Sequence, residues 1–189
     1  MEDGEMFPML RHPLIYYVPY SPMFNALINK QYTYKKESLE KSLKNKNYSS
    51  YVFIHERPYR FNAFKKIQNL LTDEEYWDLL NNIWTDSENI WQNIKEWKIL
   101  LSNRPKTKHL FMSADDKKAF NKLPDTITVY RGYVPRKNKS GLSYTIDKQR
   151  AEWFAKRFHK NGKVIEKVVK KSEVFGYTNA RSEKEIIIL

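Results

Sequence analysis

The sequence contains no cysteine. Disulfide bridges, thiolate metal sites and cysteine nucleophiles are therefore excluded. It has no glycine-rich phosphate loop and no GxGxxG fingerprint, so neither a P-loop nor a Rossmann cradle is encoded. No apolar run approaches the ~20 residues that a membrane-spanning helix needs. The opening MEDGEMFPML is acidic and lacks a basic n-region, so no secretory signal is expected. With no oxidative staples either, the expected compartment is the cytoplasm, and no membrane partner is expected. His12, His55, His109 and His159 are scattered and none pairs with acids at ligand spacing, so no metal is expected.

What is present is apolar and basic. Of 189 residues, 41% are hydrophobic and 15% aromatic, enough for a packed core and too much for a disordered chain. The length suits one domain, or a small domain with a helical extension. Lys and Arg exceed Asp and Glu by 34 to 22, giving a net charge of +12. Residues 126–189 hold 15 of the basic residues and only 6 of the acidic ones, so most of the excess lies there. Such a region attracts phosphate: nucleic acid, a dinucleotide or an acidic protein surface. Lysines that serve only solubility give the same count.

The expected fold class is α+β, with a mainly helical region over residues 1–124 packed with a small sheet domain over 125–189 as one compact unit. The first ~35 residues, with Pro8, Pro13, Pro19 and Pro22, read as an extended arm. Lys35–Asn47 and Arg60–Leu71 read as helices, and Tyr51–His55 as a short strand. Thr72 with Glu75 opens a helix from Asp73 to about Trp84, and Asp86 caps the next. Trp84, Trp91 and Trp97 are expected as core between helices. Ser113 with Asp116 caps a helix that stops before Pro124. Beyond it, Thr126–Tyr133 is β-branched and aromatic and reads as a strand. A basic loop, VPRKNKSG, leads to the short strand LSYT. Asp147–Phe158 reads as an amphipathic helix with Ala151, Phe154, Ala155 and Phe158 inward. The segments GKVIEKVVKK and VFGY follow as strands, and a last strand starts near Ser182.

Three places hold polar residues inside strand-like sequence. Arg131 precedes Gly132: the guanidinium is a rigid fork suited to phosphate, and the glycine admits a ligand close to the backbone. An exposed arginine on an edge strand fits the same letters. Ser143 and Thr145 share a face by the period of two and can orient a polar group in a cleft; Thr145 can equally cap the following helix. Glu183 and Glu185, also two apart in RSEKEIIIL, are expected on one face of the terminal strand. One carboxylate can stabilise positive charge on a sugar as a glycosidic bond breaks, and a second can deprotonate the nucleophile. Two solvated acids at a frayed strand end read the same way.

The ordered set VYRG (Val129–Gly132), SYT (Ser143–Thr145) with AEWFA (Ala151–Ala155), and SEKEIII (Ser182–Ile188) resembles the Arg–Ser–Glu clade of mono-ADP-ribosyltransferases. That clade includes C3-like and binary-toxin enzymes and phage proteins, some of them inhibitors of CRISPR systems. The resemblance covers roughly residues 125–189. It implies an NAD+-dependent transferase that releases nicotinamide and passes ADP-ribose to a macromolecular acceptor, as a phage or toxin effector acting in a host cytoplasm. Arg131 would grip the NAD+ phosphates, Gly132 the nicotinamide amide, and Ser143 and Thr145 would shape the pocket and steady the glutamate. Glu185 would bond the ribose 2′-hydroxyl and Glu183 would help the acceptor attack. Tyr177, Asn179 and Arg181 would face the acceptor, with Tyr177 as a recognition aromatic. Glu183 hints at arginine as the modified residue, hence a protein acceptor, with nucleic acid or a nucleoprotein as the other partner class. The chain departs from the family's Ser-Thr-Ser at Tyr144, which would then face away from the pocket. Two other readings stand beside this one: a non-catalytic, basic nucleic-acid-binding protein, and a binding protein that blocks a partner through its helical face.

Overall fold

Apolar residues that alternate fold here as strands, and those spaced by three and four fold as helices. The computed structural model describes residues 8–88, 90–157 and 160–189. The chain forms two compact units, Met1–Thr72 and Asp73–Leu189. The boundary therefore falls inside the helical region and not at residue 124. The helices after Thr72 belong with the sheet because their aromatic side chains pack on it.

The first unit opens with an antiparallel hairpin, β1 (Met9–His12) and β2 (Ile15–Pro19). Three helices follow: α1 (Asn25–Lys44), α2 (Tyr48–Ile54) and α3 (Arg60–Ile67). Two expectations are corrected here. The extended arm ends early, because α1 begins at Asn25 directly after the Pro22–Phe24 turn. The supposed strand Tyr51–His55 lies in α2: the Asn47 side chain accepts from Ser50 N at 3.0 Å and starts a helix, which buries Tyr51 and Val52. A five-residue apolar run has no period long enough to distinguish these outcomes. The arm's residues 1–7 lie outside the described residues.

The second unit begins with α4 (Asp73–Asp86), which buries Tyr76, Trp77, Leu79, Leu80, Ile83 and Trp84. Asp86 is the last residue of this helix, and a 3-10 turn, Ile90–Asn93, leads into α5 (Ile94–Ser102). A longer 3-10 stretch, Pro105–Phe111, precedes α6 (Ala114–Asn121), where Ser113 caps the helix as expected by accepting from Asp116 N at 3.1 Å.

The sheet strands are β3 (Thr126–Tyr133), β4 (Ser143–Thr145), β5 (Lys163–Lys170), β6 (Gly176–Thr178) and β7 (Glu185–Ile187), with α7 (Lys148–Lys156) between β4 and β5. Phe158 and His159 lie outside the described residues. The five strands are antiparallel in the order β5-β3-β4-β7-β6, which makes the unit α+β. Ile127, Val129, Val169, Val174, Tyr177 and Ile186 form one apolar cluster, with Ala119 and Phe120 of α6 packed against it. Trp77 and Phe111 meet Phe175 at ring distances of 5.9 and 5.3 Å, tying α4 to the approach to β6.

Helix α7 packs on β3 at Gly132, where a Cβ would strike the carbonyl of Ala151 and the amide of Ala155. Backbone cannot yield as a flexible side chain would. Gly132→Ala is therefore expected to cost about 1–3 kcal/mol by overpacking. Urea unfolding of wild type and variant measures it; an unchanged midpoint would show that α7 moves freely on the sheet.

Candidate active site

The sheet register sets a row of polar residues side by side. Thr145 pairs with Tyr130 on one flank and with Glu185 on the other, and Glu185 pairs in turn with Thr178. Directly paired residues project to the same face, so Glu185 stands between two threonines. A cavity of about 340 Å³ adjoins this row. Arg131, Gly132, Ser143, Thr145, Glu183 and Glu185 all line it, so the sequence-predicted catalytic and cofactor-binding residues come together in one place. Helical residues complete the wall, with Trp84, Thr85 and Trp91 on one side and Phe154 and Arg157 on another.

Arg131 is held by the loop after its own strand. Its Nη1 donates to Ser143 O at 2.6 Å and its Nη2 to Asn138 O at 3.1 Å. The guanidinium lies against Gly141, where any Cβ would strike it. Two of five donors are thus engaged, and Nε is buried without a partner. Burial lowers the guanidinium pKa, and the nearby Tyr144 and Glu185 act against that fall. An arginine so placed remains a cation at neutral pH.

Thr145 is buried and uses its hydroxyl twice. It donates to Glu183 O at 2.6 Å and accepts from Asp147 N at 3.0 Å. The helix cap itself is Asp147, whose Oδ1 accepts from Arg150 N at 3.1 Å. Thr145 therefore joins the start of α7 to the turn that carries the acids. That turn corrects the expected Glu183–Glu185 alignment. The strand begins only at Glu185, and Ser182 and Lys184 have φ of 55° and 46°, left-handed values that break the alternation of two. Both acids still reach the cavity, but Glu183 does so from a turn. Asn179 Oδ1 accepts from Lys184 N at 3.0 Å and braces the same turn.

The Glu185 pKa is pushed up to about 7. Desolvation is the main cause and the nearby Glu183 adds to it, while the Ser143 hydroxyl, the Trp84 indole N–H and Arg181 oppose it. Tyr144 packs on the apolar cluster, as a side chain turned from the pocket should, yet it also borders the cavity.

The acceptor-facing trio divides. Arg181 is exposed and lines the cavity, and Asn179 is exposed in the turn. Tyr177 is only 4% exposed and belongs to the apolar cluster, so it is not a recognition aromatic; its strand position turns it into the core. Residues 84–91 were not legible as site residues. Trp84 and Trp97 are buried and meet edge-on at 5.0 Å, as core tryptophans should, but Trp84 also lines the cavity. Trp91 is not core: it is 41% exposed at the cavity wall. Among the described residues, the buried side-chain polar atoms without a hydrogen bond are Trp84 Nε1, Thr85 Oγ1 and Arg131 Nε. All three belong to residues of this cavity. Orphaned buried donors are rare in folded proteins, and their clustering marks a place prepared for a polar guest. Among the described residues no group of three or more His, Asp or Glu is placed to hold a metal ion, and no helix is long and apolar enough to cross a membrane.

Comparison with protein-family models, curated proteins and solved structures finds no match to this chain.

The raised Glu185 pKa has a signed consequence for stability. Below about 4.5 the acid is protonated whether the chain is folded or not, and it costs nothing. Between 4.5 and about 7 the unfolded chain ionises first, so stability falls as pH rises. Glu185→Gln removes that loss. The variant is expected to exceed wild type by up to about 3 kcal/mol above the folded pKa, with the difference vanishing in acid. Urea unfolding across this range reads it directly, and a pH-independent difference would contradict the burial argument.

Proposed function

We propose that this protein is an NAD+-dependent mono-ADP-ribosyltransferase whose site is the cavity between Arg131 and Glu185. The observation that carries the reading is convergence: one cavity gathers a half-buried arginine, a desolvated glutamate and the three orphaned polar atoms. The resemblance of VYRG, SYT and SEKEIII to the Arg–Ser–Glu clade adds the identity of the co-substrate. A polar, partly anionic guest suits these residues, and the cavity volume lies in the range of small-molecule sites.

Bound NAD+ supplies an activated N-glycosidic bond, whose cleavage releases neutral nicotinamide and leaves positive charge on the ribose. The remaining chemistry belongs to the chain. Arg131 offers its spare donors to phosphate oxygens, and Gly132 lines the cavity beside it. Ionised Glu185 is a fixed anion in a poorly solvated place, where its field on a developing cation is strongest. A cationic ligand would itself favour ionisation and draw the Glu185 pKa down on binding. Glu183, on its turn at the cavity, takes the proton of the acceptor nucleophile. Thr145 holds Glu183's backbone and so sets where that proton is received.

The acceptor is a macromolecule, with protein favoured by the acid at Glu183. A second reading, nucleic-acid binding without catalysis, is favoured by one feature of α7. Trp153 is 48% exposed, and the guanidinium carbons of Arg150 and Arg157 lie 5.7 and 4.9 Å from its ring centre. Aromatic and arginine groups so arranged can stack on bases.

Incubation of a lysate with NAD+ labelled in its adenosine half separates these readings. Wild type is expected to form a labelled adduct seen by mass spectrometry, and Glu185→Gln to form it on the order of 10²–10³ times more slowly. Absence of NAD+ binding in the μM–mM range would overturn the transferase reading. Salt-dependent nucleic-acid binding that survives Glu185→Gln, with no NAD+ consumed, would establish the second one.

A further inference from the structure

We propose that Trp84, near the end of α4, is the positioning residue of Glu185: its indole N–H is the donor that holds the carboxylate in the cavity once the acid is ionised. Trp84 is 1% exposed, so solvent cannot satisfy its N–H. Its Nε1 closes no hydrogen bond within the protein. An indole nitrogen only donates, so what it lacks is an acceptor. The cavity it lines also holds an acceptor, the Glu185 carboxylate; the indole N–H favours the charged form of that acid without closing a hydrogen bond to it in this structure. The ring is fixed by Trp97, met edge-on at 5.0 Å and 85°, so the donor is held ready and cannot swing to another partner.

The other groups acting on this carboxylate have different characters. Ser143 on β4 also favours the charged form, but its hydroxyl can accept as well as donate. Arg181 lies on the exposed turn, and Glu183 on the same turn repels the carboxylate. Arg131 on β3 spends two donors on the carbonyls of Ser143 and Asn138. Trp84 alone among these combines full burial, a fixed ring and an unspent donor. It also stands outside residues 125–189, which carry the transferase resemblance. The helical segment would thus complete the site and not merely cover the sheet. The inference rests on the proposed function only in naming Glu185 as the acting carboxylate.

The test replaces one atom. Benzothienylalanine at position 84 puts sulfur where the N–H was and keeps the ring's shape; 5-fluorotryptophan keeps the N–H. Carbon-13 carboxyl NMR follows Glu185, assigned by the signal missing from Glu185→Gln. The midpoint is expected near 7 in wild type and in the fluorotryptophan protein. It is expected about one to two units higher in the benzothienyl protein, and likewise in Trp84→Phe. The acid limb of the nicotinamide-release profile should move by the same amount. An unchanged midpoint in a benzothienyl protein that melts like wild type overturns the proposal and leaves Trp84 a core residue. Because the titration needs no NAD+, a moved midpoint without any transferase activity upholds the positioning role and rejects the proposed function.

Discussion

One hydroxyl holds the site in register. Thr145 Oγ donates to Glu183 O and accepts from Asp147 N, and it does so while buried between β3 and β7. Through the first bond it fixes the turn that delivers both acids. Through the second it fixes the start of α7, the helix that packs on Gly132 beside Arg131. A hydroxyl can serve both because it is donor and acceptor at once. Valine, though isosteric, would break both connections and strand a buried carbonyl and amide.

From that joint follows the electrostatic character of the cavity. Glu185 is paired across the sheet with Thr145 and Thr178, and burial there raises the pKa of its carboxylate. A carboxylate deprived of water holds its proton to near neutrality, which is the state a group needs if it is to ionise on meeting a cation. Arg131, by contrast, stays charged under burial and uses part of its fork to brace the loop after β3. The two groups are therefore treated differently: desolvation works against the charge of the acid, and carbonyls support that of the base. Glu183 is set apart from Glu185 by the left-handed residues on either side of it.

Much of this was legible in the chain because it is local. Thr126–Tyr133 is rich in β-branched and aromatic residues, and the strand occupies those bounds. Ser113 caps its helix by a contact three residues long, whereas the next cap, read as Thr145, is Asp147. The association of Arg131, Ser143, Thr145, Glu183 and Glu185 was legible through their order and the strands bearing them. Other features were not, because they depend on distant partners or on backbone that no residue type announces. Ser182 and Lys184 take positive φ without being glycine, so the turn at Glu183 reads as strand. Tyr177 reads as a recognition aromatic until the sheet turns it inward. Trp84, Trp91 and Trp97 read alike as core between helices, yet the chain turns after α4 and sends Trp91 to the cavity wall.

The central claim is that Arg131 and Glu185 form two walls of one NAD+ site. A crystal structure with a non-cleavable NAD+ analogue tests it most directly. The nicotinamide ribose is expected against the Glu185 carboxylate, with a phosphate oxygen on the Arg131 guanidinium. An analogue bound elsewhere, or a cavity that stays empty at saturating concentration, would contradict it.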